Sequence, residues 1–224
     1  WLDLVMTNNG LMHNHNINVA AGADWIKVYA SGSFLDQNGL TANTNYKRQD
    51  FRFNSDLKMS AKLSGTFDLV YNRTNRLWPG NSNPQAIIRF MLGLPAIAPG
   101  RFDNGQWGEG WSNNNPAAQA QDGGFARNIV ESYVLNGGLS YALTDDLEWT
   151  ANYSNNNWIA HSKTFQNQYD IYEADLVNNE TVYARSWPNT NFVSENITPS
   201  KINLFRTQFN YKTNFQDHNL KTVL

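Results

Sequence analysis

The residues that could do chemistry are few and scattered. His13 and His15 stand two apart, a spacing that on a strand puts both imidazoles on one face and could hold a metal ion. No carboxylate or third histidine recurs beside them, and His161 and His218 lie far off in the chain, so a structural role is the simpler reading and no metal site is assigned. Asp145-Asp146 could form a carboxylate pair for acid–base work, but it falls in a short turn, where aspartate supports the turn itself. With no cysteine, thiol nucleophiles, disulfides and thiolate-bound zinc are excluded. No Gly-x-Ser-x-Gly elbow or phosphate-binding glycine loop occurs. The chain is therefore expected to carry no catalytic residue and no cofactor. What remains is aromatic: Trp78, Phe102, Trp107 and Trp111 in one long connection, Tyr172 and Trp187 in the next. Flat rings beside asparagine and aspartate suit sugar faces or peptide side chains, because they offer contact area at low entropy cost. The competing reading is that they pack the loops together or against a partner.

The composition says what kind of element must hold these residues. Only 16% of the 224 residues are charged, 13% are aromatic, and mean hydropathy is −0.57. A chain that is polar on average yet rich in aromatics has little material for a large buried core. Net charge is −2 with no basic block, so the electrostatic footprint of nucleic-acid binding is missing. No apolar run reaches about 18 residues, which excludes a transmembrane helix.

The dominant pattern is period-two alternation, the signature of strands with one wet and one apolar face. In Asp50–Met59, Phe51, Phe53, Leu57 and Met59 share one face, with Ser55 as the exception, while Asp50, Arg52, Asn54, Asp56 and Lys58 share the other. Leu63–Asn72 sets Phe67, Leu69 and Tyr71 against Thr66, Asp68 and Asn72. Leu147–Ser154 sets Trp149 and Tyr153 against Glu148 and Asn152, and Asn203–Asn214 sets Phe205, Phe209 and Tyr211 against Arg206, Gln208 and Asn210. His13–Ala21, Trp25–Leu35, Ile129–Leu143 and Leu220–Leu224 complete eight segments. Their connections alternate short (Gly22–Asp24, Ser60–Lys62, Thr144–Asp146, Phe215–His218) and long (Asp36–Gln49, Arg73–Arg127, His161–Ser200). Transmembrane barrels have this asymmetry of tight turns on one side and extended loops on the other.

Strand length agrees. An apolar band about 25 Å tall, crossed at about 40° of tilt, needs about 10 residues per strand. The fold class is therefore all-β: a transmembrane antiparallel β-barrel with long extracellular loops, in a bacterial outer membrane, with Phe51, Phe53, Phe67, Leu69, Trp149, Phe205, Phe209 and Tyr211 facing lipid. One helix is expected inside the longest loop, capped by Asn83, with Pro84 at its first position and Gly93 and Pro95 ending it. Packing its own loop is its simplest role. An open sheet in lipid would leave unpaired backbone at several kcal/mol per group, so further strands are expected from a longer polypeptide or from other copies.

Short motifs carry a family resemblance. In order they are Trp1-Leu2-Asp3, His13-Asn14-His15-Asn16, a Gly22 turn and Tyr29-Ala30-Ser31-Gly32-Ser33. Asp36-Gln37-Asn38-Gly39, Tyr46-Lys47-Arg48 and Phe51-Arg52-Phe53-Asn54-Ser55-Asp56 follow. Leu94-Pro95-Ala96-Ile97-Ala98-Pro99, Asp103-Asn104-Gly105-Gln106-Trp107 and Phe215-Gln216-Asp217-His218-Asn219-Leu220 come later. Their order and spacing resemble the early barrel strands of SusC/RagA-type TonB-dependent transporters of Bacteroidetes. The resemblance implies that residues 1–224 are about eight strands of a barrel of about 22, without its plug or C-terminal strands. It further implies import of an oligosaccharide or oligopeptide, a SusD-like surface lipoprotein as lid, and TonB–ExbB–ExbD as energy source through the missing N-terminal part.

Two other classes stay open on the sequence. One is a small passive barrel or adhesin that binds a partner through its loops. The other is a secreted carbohydrate-binding β-domain, which would be soluble without detergent. An enzyme ranks last.

Overall fold

A computed structural model describes residues 1–7, 10–111, 114–215 and 218–224. A single helical turn, α1 (Leu2–Val5), precedes four strands: β1 (Met12–Ala23), β2 (Ile26–Asn38), β3 (Asn45–Lys58) and β4 (Leu63–Pro79). Helix α2 (Pro84–Leu92), the short β5 (Trp107–Gly108) and helix α3 (Pro116–Gln121) follow. Then come β6 (Gly124–Ala142), β7 (Leu147–Gln166), β8 (Tyr169–Asp175), β9 (Glu180–Trp187), β10 (Phe192–Phe215) and β11 (His218–Val223). Eight strands form one antiparallel sheet in the order β1-β2-β3-β4-β6-β7-β10-β11, and β5-β8-β9 form a second, three-stranded sheet. Among the described residues the large sheet has β1 and β11 as its edges and does not close on itself.

The eight segments expected from alternation are the eight strands of the large sheet, and their ladder register assigns the faces. Phe51 lies opposite Tyr71 and Gly32, Phe53 opposite Leu69 and Ala30, and Ser55 opposite Phe67. Tyr71 lies opposite Tyr133, Tyr153 opposite Phe205, and Trp149 opposite Tyr141 and Phe209, with Tyr211 opposite Leu147. Directly opposed residues share a face, so Phe51, Phe53, Phe67, Leu69, Trp149, Phe205, Phe209 and Tyr211 all stand on one side of the sheet. Among the described residues no second layer covers that side: Ile17, Val19, Phe51, Tyr133, Tyr153, Phe205 and Phe209 are all exposed.

The other side carries most of the sheet's polar residues, with Val70, Val134, Ile202 and Leu204 among them, and is hydrogen-bonded across strands. Asn54 donates to Asp68 at 2.5 Å and Ser33 donates to Asp50 at 2.7 Å, while Arg48 pairs with Asp50 along β3 itself at 2.9 Å. Ser140 donates to Glu148, whose other oxygen accepts from Asn210.

Toward the long-loop end, the apolar side gives way to ion pairs between neighbouring strands. These are Lys47–Asp36 at 2.9 Å, Arg73–Glu131 at 3.0 Å, His161–Glu195 at 2.6 Å and Lys163–Glu195 at 3.3 Å. On β7 and β10 the change comes at Asn155, Asn157 and Asn203, which hydrogen-bond one another beyond Tyr153. The strands run on past the apolar stretch, to 19 residues in β6, 20 in β7 and 24 in β10. Three expected connections are corrected by these extensions. Asp36–Gln49 is not a long loop, because Asp36–Lys47 and Asn38–Asn45 are still ladder pairs and only residues 39–44 connect. Likewise 73–127 shrinks to 80–123, and 161–200 shrinks to 167–191, itself largely the β8–β9 hairpin.

The short turns fall at 24–25, 59–62 and 143–146, the first shifted from the expected Gly22–Asp24 because Gly22 and Ala23 are still ladder partners of Lys27 and Ile26. Gln216 and Asp217, in the last one, lie outside the described residues. Two of these turns share a device: Ser60 Oγ accepts from the Leu63 amide, and Thr144 Oγ1 accepts from the Leu147 amide. At 143–146 it is thus Thr144, ahead of Asp145-Asp146, that fixes the chain reversal.

Candidate functional site

The buried core of the described residues lies outside the large sheet, in the loops at its long end. Val5, Ile87, Met91, Trp107, Ala117, Ala118, Ala120, Tyr169 and Ile171 form one cluster, drawn from α1, α2, α3, β5 and β8. Helix α2 spans the residues its capping signals indicate: the Asn83 side chain accepts from the Ala86 amide at 2.8 Å, Pro84 opens the helix, and Gly93 closes it. Its buried side chains are Ile87 and Met91, so it packs its own loop.

Helix α3 is built the same way from Asn115-Pro116. Asn115 Oδ1 accepts from the amides of Ala117 and Ala118, while Nδ2 donates to the carbonyls of Gly100 and Gly108 at 2.6 and 2.7 Å. Asn43, at φ +57°, donates to the carbonyls of Ala120 and Gln121, and Gln121 donates to Leu4, which ties the longest loop to the 39–44 turn and to the N-terminal segment. Asn-Pro was legible at 83–84 and equally present at 115–116, so α3 was missed although its signal was there.

The six loop aromatics part company. Trp107 is 6% exposed. Its indole nitrogen donates to Asp122 at 2.6 Å, and the Arg101 guanidinium lies 4.8 Å from its ring centroid. It is a core residue with no face to offer a ligand. Phe102 is half-buried at the Asp103-Asn104-Gly105 turn, whose Gly105 holds φ +87°. Tyr172 stands edge-on to Tyr183 at 6.0 Å on the β8–β9 hairpin, and the exposed Trp187 ends that hairpin. Trp111 is 57% exposed and lines a shallow pocket with Ile97, Pro99 and Glu109. Trp78 lines a different one.

That second pocket, about 650 Å³, opens where the large sheet meets α2. Register places Gln37 opposite Tyr46 and Tyr46 opposite Arg76, and Trp78 follows two residues on, so all four stand on the polar face. The remaining lining comes from Gly39, Thr44, Asn45 and Leu77 and from Asn83-Pro84-Gln85 at the start of α2. The Arg76 guanidinium lies 5.8 Å from the Tyr46 ring centroid. Tyr46, Arg76 and Gln37 are not among the site residues expected from the sequence. The available signal was the Arg76-Leu77-Trp78 spacing, which puts a cation and an indole on one strand face.

Two loop groups have shifted ionisation. Burial raises Tyr169 above the ordinary phenol range, with the Arg185 charge opposing it. Hydrogen bonds from Asn178 and from the Val177 amide lower Asp175, which fixes the tip of the β8–β9 hairpin. His13 and His15 stack with ring centroids 6.5 Å apart on the face that also carries Asp36. Among the described residues no group of three or more metal-ligating side chains gathers, and no helix is long and apolar enough to cross a membrane.

These features define an antiparallel sheet with one apolar and one polar face, topped at one end by a loop-built core with an aromatic, amide-rich pocket beneath it. The same fold occurs in a solved structure titled as that of the RagAB peptide transporter. The two match with a TM-score of 0.65 at 13% sequence identity, over 100% of this chain and 24% of that one. This chain thus spans about a quarter of the length of the chain it resembles. No protein-family model matches the sequence, and no curated protein matches it.

Proposed function

We propose that this chain is part of an outer-membrane β-barrel that imports an oligosaccharide or oligopeptide, and that it does no covalent chemistry. The carrying observation is the uncovered apolar face. Monomeric soluble proteins rarely expose contiguous apolar patches above a few hundred Å², whereas here a whole sheet face carries Ile17, Val19, Phe51, Tyr133, Tyr153, Phe205 and Phe209 in the open. Lipid covers such a face without a second protein layer, and water in a lumen suits the polar one. The stretch from Leu63 to Tyr71 climbs about 20 Å at about 3.3 Å per residue and about 40° of tilt, close to the usual band. Beyond it the same face carries the ion pairs, as the headgroup region and water above it would favour.

Likeness to part of a peptide transporter supports transport as the activity, and the sequence motifs support the SusC/RagA type from Bacteroidetes. On this reading the loop core and hairpin face a SusD-like surface lipoprotein. TonB–ExbB–ExbD supplies energy through a plug outside these 224 residues.

Cysteines placed singly from Phe51 to Leu57, each carrying a spin label, test the faces. Lipid accessibility is expected at 51, 53, 55 and 57 and water accessibility at 52, 54 and 56. An absence of period two sinks the reading. Uptake of a labelled oligopeptide that persists after the proton gradient is dissipated would favour a passive barrel over a TonB-driven one.

A further inference from the structure

Arg76 stands in the pocket with its charge unmatched. Among the described residues no carboxylate pairs with it, whereas its neighbours Arg48 and Arg73 are paired with Asp50 and Glu131. Its guanidinium has the Tyr46 ring on one side, and no acidic side chain lines the pocket around it. The lining also supplies the side-chain amides of Gln37, Asn83 and Gln85 and the indole of Trp78, while the Asn45 amide is spent on Asp36 and Asn38. The first turn of α2 forms one wall and adds the partial positive charge of a helix start. One full positive charge in a planar fork, ringed by amides and set beside an aromatic face, is the chemistry of a single carboxylate with a flat or apolar body attached. A phosphate, nearly doubly charged at neutral pH, calls for more cation than one arginine provides.

We infer that this pocket receives the carboxylate of a transported ligand. Arg76 is the counter-ion, the surrounding amides hold the remaining lone pairs, and Trp78 lies against the adjoining apolar surface. The carboxylate can come from a free peptide C-terminus or from a uronic acid. The inference rests on the reading above, in which the polar face lines the lumen.

Isothermal calorimetry on the complete purified transporter tests it with two matched probe pairs. The first is a pentapeptide with a free or an amidated C-terminus, and the second is trigalacturonate or galactotriose. The wild-type protein is expected to prefer the acid in at least one pair, and that pair names the source of the carboxylate. Arg76→Gln is expected to weaken binding of the preferred acid about tenfold to hundredfold, as loss of a charged hydrogen-bond pair does, and to leave the neutral probe unchanged. Arg76→Lys, which keeps the charge without the fork, is expected to fall between. A wild-type protein that does not discriminate in either pair, or an Arg76→Gln change that weakens acid and neutral probes alike, overturns the inference. Failure of the lumen reading would show separately, as equal lipid exposure of odd and even positions along β3.

Discussion

Replacing Trp107 by alanine should unfold the loop core and leave the large sheet standing. Burying a tryptophan and then deleting it to alanine costs about 3–5 kcal/mol in a packed core, and Trp107 is nearly fully enclosed. The indole hydrogen bond to Asp122 adds little, because Asp122 is exposed and water takes over. The stacked Arg101 adds about 0.5–1 kcal/mol as an exposed cation–π contact. A total near 4–5 kcal/mol is enough to open a small local unit. It does not reach β3 and β4, whose pairing is entirely within the large sheet. Hydrogen exchange on the complete protein should show protection lost at Ala117, Ala118 and Ala120 and retained at Phe53 and Leu69. Trp187→Ala, at an exposed position, should change neither. If Trp107→Ala keeps the loop protected yet weakens ligand binding, the indole is a binding surface after all and the burial argument fails.

Other consequences concern the same loop unit and its pocket. Asn115→Ala removes the α3 cap, worth about 0.5–2 kcal/mol, and strips the Gly100 and Gly108 carbonyls of a donor at about 1–3 kcal/mol. Chymotrypsin should therefore cut the 80–123 loop faster, and unchanged cleavage would contradict the assigned bonds. Tyr169 ionises at higher pH folded than unfolded, so its contribution is complete below about pH 10 and is lost as pH rises beyond it. Tyr169→Phe should blunt the alkaline loss of loop protection, and an identical pH profile in the variant would refute this.

The large sheet was legible because its strands carry one apolar and one polar face where Phe51–Leu57 and Leu63–Tyr71 lie. Alternation vanishes where both faces are polar, which is why the upper reaches of β7 and β10, with Ser162, Lys163, Thr164, Ser194, Glu195 and Asn196, read as loop although they are fully paired. The same holds for Asp36–Lys47, a salt-bridged ladder pair that looks like a polar connection. Strands β5, β8 and β9 are short, and β5 pairs with β8 across a distance in sequence that no local pattern encodes. At the candidate site, residue type marked Trp78 but could not separate it from Trp107. One lines an open pocket and the other is sealed by Asp122, Arg101 and Ile171, and only the tertiary arrangement decides that.

The most direct test of the lipid-facing assignment is a matched pair of charge insertions on adjacent residues of β3. Phe53 packs its ring 6.1 Å from Phe67 in the middle of the apolar face, so Phe53→Arg should cost about 2–4 kcal/mol in a bilayer. Asn54→Arg sets a cation beside Asp68 on the polar face and should be nearly neutral. Measured as the fraction of complete protein that assembles in the outer membrane and resists unfolding in SDS without heating, Phe53→Arg should be strongly depleted and Asn54→Arg close to wild type. Equal tolerance of the two, or a larger loss at Asn54, would contradict the assignment of the apolar face to lipid.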